Sequence, residues 1–311
     1  MTLRILMVQT PTSHLGAGER VYPLGLSRLA GLAALGADVC GLDMNLQPDP
    51  WPILGQTLLE VQPAVVMLSF RNLDPLAGHH ASYLSGLKTA ARMVRRVTPD
   101  ARILAGGPAF TLFAKRLMQA VPELDGGVIG EGEPAMPGLL AHPFQPQTTP
   151  GLIWRRVDGR IQRNRPASPP VDMDALPEMD IQRFRPEDYL RGNAYVAAVG
   201  IEGKRGCDLG CGYCVYPFLG GCTMRVRKPK QIVDEMQRLH DKCGSGEAVA
   251  GMDLCVATCA DAWVAYGRAH AFRSSVSAGR VRWCSIFWKF GRWEIVCIGC
   301  GHGAGTMDLL H

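Results

Sequence analysis

Ala64-Val65-Val66-Met67-Leu68-Ser69-Phe70-Arg71-Asn72-Leu73-Asp74 is an apolar run that breaks into a polar loop. Four apolar side chains in a row, Val65 to Leu68, fit a strand buried on both faces, as in a parallel sheet with helices above and below it. The pattern recurs on either side. Residues 3–8 and 37–43 read as the first and second strands. Between them, residues 24–35 place Leu26, Leu29, Ala30 and Ala33 on one helical face, and Gly36 stops the helix. Downstream, residues 83–97 read as a helix and 102–105 as the fourth strand. Residues 128–129 read as the fifth strand, before a helix that begins near Pro134. Strands that alternate with helices predict an α/β fold with a doubly wound parallel sheet.

In such sheets ligands sit beyond the carboxyl ends of the strands. Here those ends are Ser69-Phe70-Arg71, Gly106-Gly107-Pro108 and Gly130-Glu131-Gly132-Glu133. Glycines at these points let a large flat ligand approach the backbone. The candidate binding residues are Ser69, Arg71, Gly106, Gly107, Glu131 and Gly132.

A proline-punctuated connector follows over residues 143–193. Within it, residues 152–161 read as a small hairpin turning at Asp158-Gly159. The expected organisation is a first domain over 1–142, this connector, a further domain starting at 194, and an atypical tail over 244–311.

The second decisive stretch is Gly206-Cys207-Asp208-Leu209-Gly210-Cys211-Gly212-Tyr213-Cys214. Its spacing is CxxxCxxC. A [4Fe–4S] cluster is usually held by four thiolates, so three leave one iron open to a small molecule. Gly210 and Gly212 are expected to let the loop curl until Cys207, Cys211 and Cys214 converge. Half of a zinc site more often shows paired CxxC motifs or histidine partners. A disulfide would need an oxidising compartment, to which nothing in the sequence points. Purely structural thiols are the remaining alternative.

CxxxCxxC with an aromatic before its last cysteine resembles the radical S-adenosylmethionine (SAM) enzymes. The flanks Gly200-Ile201-Glu202-Gly203-Lys204-Arg205, Val215-Tyr216-Pro217 and Arg225-Val226-Arg227-Lys228-Pro229 resemble the cobalamin-binding branch, which includes C- and P-methyltransferases. The resemblance implies that the three cysteines hold a [4Fe–4S] cluster and that SAM chelates its free iron. In most members reductive cleavage of SAM then gives a 5′-deoxyadenosyl radical. It also implies a Rossmann-like cobalamin domain at the N-terminus and a radical SAM (β/α) barrel after the connector. Tyr213 lies where relatives place an aromatic beside the adenine.

Many cobalamin domains carry Asp-x-His-x-x-Gly, whose histidine binds cobalt. His14, His79 and His80 do not fit that pattern. Arg71 is therefore a candidate for the corrinoid's lower face, where a cation that cannot coordinate disfavours a sixth ligand. The alternative is an ion pair between Arg71 and Asp74.

The barrel is expected to open with a strand over 195–201 and a helix over 229–240, with Ile232, Val233, Met236 and Leu239 inward. After Cys243 the pattern fails, although a barrel takes about 200 residues or more. The tail holds four of the six tryptophans and the groupings Cys255-x-x-x-Cys259 and Cys297-x-x-Cys300-x-His302. We read this segment as out-of-frame sequence that truncates the barrel. A divergent domain or a second metal site is the alternative.

The chain has 311 residues, a net charge of +5 and eleven cysteines. That charge is too mild to imply nucleic acid. The sequence has no run of about 18 apolar residues to span a membrane, and residues 1–8 carry no cleavable signal pattern. A reducing cytoplasm is the expected location.

The expected activity is cobalamin-dependent methyl transfer from SAM to an unactivated carbon or phosphorus centre in secondary metabolism. The substrate would be a small molecule or peptide, and the electron donor a flavodoxin or ferredoxin. A radical SAM cyclisation or rearrangement is one alternative. An inactive corrinoid- and cluster-binding protein, or a zinc-binding regulator, is another.

Overall fold

The computed structural model describes residues 2–12, 20–74, 82–141, 144–189, 199–243, 284–289 and 292–297. The chain divides into two compact units. The first comprises Met1–Val171 and Leu176–Arg185, and the second Asp172–Ala175 and Pro186–His311.

The first unit is built on a sheet whose first five strands are parallel. They are β1 (Leu3–Gln9), β2 (Ala37–Asp43), β3 (Val65–Ser69), β4 (Arg102–Gly106) and β5 (Gly126–Val128). The intervening helices are α1 (Leu24–Ala33), α2 (Pro50–Val61), α3 (Leu84–Val97) and α4 (Pro108–Ala120), and α5 (Met136–Leu140) follows β5. The strand order begins β2-β1-β3-β4-β5, the flavodoxin-like winding. Its direction switches between β1 and β3, so the loops after those strands diverge there.

Alternate strand residues pack on opposite faces, as the pleat requires. Leu6, Val8, Val66, Leu68, Ile103 and Ala105 share a core with Leu54 and Leu58 of α2, Leu87 and Val94 of α3, and Phe110 and Leu117 of α4. Ile5, Met7, Val65 and Met67, one step out of phase, are buried as well. Burial on both faces is why these strands read as unbroken apolar runs.

Helices α2 and α4 are not among the helices read from the sequence. Each helix starts at a proline, where the missing N–H costs nothing. Asp49 caps α2, its side chain accepting from the Trp51 N–H. The fifth strand lies two residues earlier than expected. Gly126 and Gly127 open the strand, and a Cβ at Gly127 would lie 2.3 Å from Phe110, so only glycine fits beneath that ring.

The hairpin expected in the connector does form, as β6 (Leu152–Arg155) and β7 (Ile161–Arg163). It is not a free-standing piece of linker. β6 pairs antiparallel with β5, and the sheet ends β5-β6-β7. Leu152, Ile153 and Trp154 are buried by that pairing. Residues 176–185 then strap across the unit. Arg28, fully buried on α1, donates to the Pro177 carbonyl at 2.7 Å, and Arg183 Nε donates to the Val39 carbonyl at 2.7 Å.

In the second unit β8 (Lys204–Arg205) pairs antiparallel with β9 (Arg225–Val226), and the short helix α6 (Tyr216–Gly220) lies in the loop between them. Helix α7 (Pro229–Cys243) follows, with Ile232 and Leu239 buried as expected and Val233 half-buried. Asp174 holds its entry. The Lys228 N–H donates to the Asp174 carboxylate at 2.8 Å, and that bond is the main reason the carboxyl sits below its usual range. Most of the expected strand over 195–201 lies outside the described residues.

In the tail β10 (Cys284–Lys289) and β11 (Arg292–Cys297) form an antiparallel pair with Cys284 opposite Cys297. Cys255, Cys259, Cys300 and His302 lie outside the described residues. Among the described residues no helix is long and apolar enough to cross a membrane.

Candidate functional site

The first site lies at the carboxyl edge of the parallel sheet. At the switch point Thr10 bonds to the end of β3, its N–H and Oγ1 donating to the Ser69 carbonyl at 3.2 and 2.7 Å. On the other side the Phe70 N–H donates to the Gly106 carbonyl at 2.8 Å, and the Ala109 N–H to the Arg71 carbonyl at 3.1 Å. Phe70 is fully buried beneath. The backbone from Ser69 to Arg71 is thus held from both sides.

Gly107 completes that hold. Its φ is +98°, and a Cβ there would stand 2.7 Å from the Phe70 carbonyl oxygen. A side chain would therefore be strained twice, by conformation and by contact. Gly106, next to it, faces open space, since a Cβ would meet nothing within 4 Å. Gly130, after β5, is equally open and has a φ of +85°.

The expected residues separate into two groups. Ser69, Arg71, Gly106 and Gly107 come together along β3 and β4. The Arg71 side chain makes no hydrogen bond or ion pair with any described residue, Asp74 included. Glu131 and Gly132 serve the frame instead. A Glu131 carboxylate oxygen accepts from the Val171 N–H at 3.0 Å, and Gly132 packs on Leu29, whose Cδ1 would lie 2.8 Å from an added Cβ.

The sequence reading missed a clamp on the loop after β1. Asn45 Oδ1 accepts from the Thr12 N–H at 2.6 Å, and Asn45 Nδ2 donates to the Thr10 carbonyl at 3.2 Å and to Asp43 Oδ1 at 2.8 Å. Only the β1–β2 pairing brings these residues together, so no local motif announces them. His14, His79 and His80 lie outside the described residues.

The second site is the cysteine loop. Cys207, Cys211 and Cys214 are all free thiols; Cys207 is buried and the other two are half-buried. The Cys207 N–H donates to the Gly221 carbonyl at 3.1 Å, and the Cys214 N–H to the Cys211 carbonyl at 3.1 Å. Gly210 adopts a φ of +61°, as its place in the curl demands. Gly212 does not occupy that region; the second glycine the loop needs is Gly206, with a φ of +79°. A Cβ on Gly206 would lie 2.2 Å from the Thr223 carbonyl oxygen. Tyr213 is 92 % exposed, and Tyr216 and Phe218 beside it are exposed too.

Among the described residues no three Cys, His, Asp or Glu side chains converge to hold one metal ion. A zinc ion needs its ligands around a single point. Cys40, on β2, is a different kind of thiol: burial first, and Asp38 second, push its pKa up, which disfavours the thiolate.

Residues 16–140 match the B12 binding domain family. Over 276 residues the chain is 27% identical to cytidylyl-2-hydroxyethylphosphonate methyltransferase of Streptomyces wedmorensis, covering 73% of this chain and 50% of that protein. It is 27% identical over 256 residues to the anaerobic magnesium-protoporphyrin IX monomethyl ester cyclase of Synechocystis, covering 76% of this chain and 47% of the cyclase. Among solved structures it is similar to the radical SAM methyltransferase TsrM from Kitasatospora setae, solved with cobalamin and a [4Fe-4S] cluster bound. That likeness has a TM-score of 0.62 and 25% identity, over 77% of this chain and 46% of TsrM. The chain spans about half the length of these relatives.

Proposed function

We propose, on the premise that this chain is a relative of the cobalamin-dependent radical SAM methyltransferases, that it binds cobalamin, a [4Fe–4S] cluster and SAM and takes part in methyl transfer. The acceptor is an unactivated carbon or phosphorus centre in a small molecule or peptide. Bound together, these cofactors supply a methyl group and the electrons needed to move it. The chain's own residues bind and orient them.

Cys207, Cys211 and Cys214 hold the cluster, and the exposed ring of Tyr213 flanks the adenine of SAM. The backbone of Ser69, Gly106 and Gly130 would line the corrin edge, where the two glycines leave room, while Gly107 holds the Phe70 backbone in place behind them. Arg71 presents a guanidinium that cannot coordinate a metal. It is unpaired among the described residues, and its backbone is anchored at the switch point, where ligands of this winding bind. Flavodoxin or ferredoxin is the fitting reductant, and the cytoplasm the fitting compartment.

The observation that carries the reading is the loop of three free cysteines in a chain whose first unit has the cobalamin-domain winding. Anaerobic reconstitution with iron, sulfide and hydroxocobalamin tests it. The full chain should take up both groups, and Cys207→Ala should lose the iron while keeping the corrinoid. Failure of the parent chain to take up either group would overturn the proposal. With SAM and a reductant, release of 5′-deoxyadenosine or of a methylated acceptor separates an active enzyme from a binding protein.

The likeness to the cyclase favours a second reading, in which the same cofactors drive a ring closure. An acceptor that gains no methyl but loses hydrogen would decide for it.

We assign residues 194–243 to the opening of the barrel and place 244–311 outside it. The described part of that tail is an antiparallel hairpin, whereas a (β/α) barrel continues with parallel strands and helices. Reading the gene around codon 243 in all three frames tests this. A barrel pattern in another frame supports it.

A further inference from the structure

Residues 206–224 leave and return through one narrow neck. Its posts are β8 and β9, two residues each, with Lys204 opposite Val226 and Arg205 opposite Arg225. Such short strands hold a long loop poorly on their own. The neck has further ties. Arg225 Nη2 donates to the Gly220 carbonyl at 3.0 Å, and Glu202 grips Arg205 through both carboxylate oxygens at 2.8 and 3.0 Å.

The deepest tie lies just past the neck. Arg227 and Glu235 of α7 form an ion pair whose side chains are only 8% and 4% exposed. The same Arg227 Nη1 donates to the Glu202 carbonyl at 2.9 Å, and the Arg227 N–H donates to the Gly203 carbonyl at 2.9 Å. Arg238 stands 3.8 Å from the other Glu235 oxygen. Arg227, just past β9, thus ties the segment that leads into β8 to the helix that follows.

We infer that the buried Arg227–Glu235 pair is a positioning latch for the cysteine loop, locking the neck so that Cys207 is held inside. A buried ion pair adds little net stability, because apolar residues of similar volume do as well or better. What it adds here is a fixed register, since the guanidinium meets Glu202 and Glu235 together in one geometry only. Removing the Glu235 charge leaves Arg227 buried and uncompensated, and the neck opens to hydrate it. The functional meaning of the latch rests on the cluster reading above. Its geometry does not.

The test uses the full-length apo chain, reduced and anaerobic. Iodoacetamide labelling of Cys207 and Cys211 is followed separately by mass spectrometry, and iron retention against a chelator is measured after reconstitution. Glu235→Gln should label Cys207 about tenfold faster or more, with Cys211 within about twofold of the parent and iron lost faster. Glu235→Asp, which keeps the charge, should recover most of the protection.

The double variant Arg227→Met/Glu235→Leu buries no charge and keeps the test standing where the single variant fails to fold. It should melt at or above the parent temperature and still label Cys207 faster. Parent-like Cys207 labelling in folded Glu235→Gln, or in the folded double variant, overturns the latch. Faster labelling in the variants of a parent that takes up no iron and sulfide would support the latch and refute the cluster reading.

Discussion

Gly212 reads as one of the two curl glycines in the sequence, but Gly206 takes that place in the fold. Gly206→Ala forces a side chain into a left-handed backbone and against the Thr223 carbonyl oxygen. It should cost about 1–3 kcal/mol locally and abolish iron uptake. Gly212→Ala meets open space and should reconstitute like the parent. Iron and sulfide content per chain for the two variants checks both outcomes.

Arg71 offers a second contrast at the same scale. Its side chain has no partner among the described residues, so Arg71→Ala should leave the thermal midpoint within about a degree or two. The absorption spectrum of bound cobalamin should change. A variant with an unaltered spectrum and full activity would remove Arg71 from the site.

The hairpin β6–β7 is the element that most alters the domain boundary. A fragment of residues 1–142 would leave β5 as a bare edge of three residues and uncover the surface that Ile153 and Trp154 bury. It should self-associate. A fragment of residues 1–189, which keeps the hairpin and the strap, should stay monomeric in size-exclusion chromatography. Trp154→Ala in the full chain should destabilise the first unit by about 3–5 kcal/mol.

Helix α7 depends in turn on Asp174. The folded carboxyl titrates below its usual value, so its contribution is complete above the usual carboxylate range and fades as pH falls through the lowered value. Asp174→Asn should cost under about 1 kcal/mol near neutrality, because the ion pair with Lys228 is exposed. The gap between parent and variant should close as the pH drops below the carboxylate range. Urea unfolding across a pH series measures it.

Across the whole molecule the two sites belong to different compact units, which predicts separable ligand effects. Hydroxocobalamin at 100 times its Kd should stabilise the first unit by about 2.7 kcal/mol. It should slow hydrogen exchange at the ends of β1, β3 and β4. Iron and sulfide should instead slow exchange in β8, β9 and α7. Protection spread evenly over both units by cobalamin alone would contradict the assignment of the corrinoid to the sheet edge.

The sequence by itself determined the α/β class of the first unit and its parallel sheet, because strands covered on both faces must be apolar throughout. It determined the cysteine loop as well, because three thiols within one short loop need no tertiary contact to be recognised. Only the tertiary structure decided that the hairpin belongs to the sheet, that Gly126 and Gly127 form a strand, and that Glu131 anchors the chain at Val171. It alone joined Thr12 to Asn45 and Arg227 to Glu235. These are contacts between residues made neighbours by packing, and neither composition nor spacing encodes a neighbour that arrives from another element.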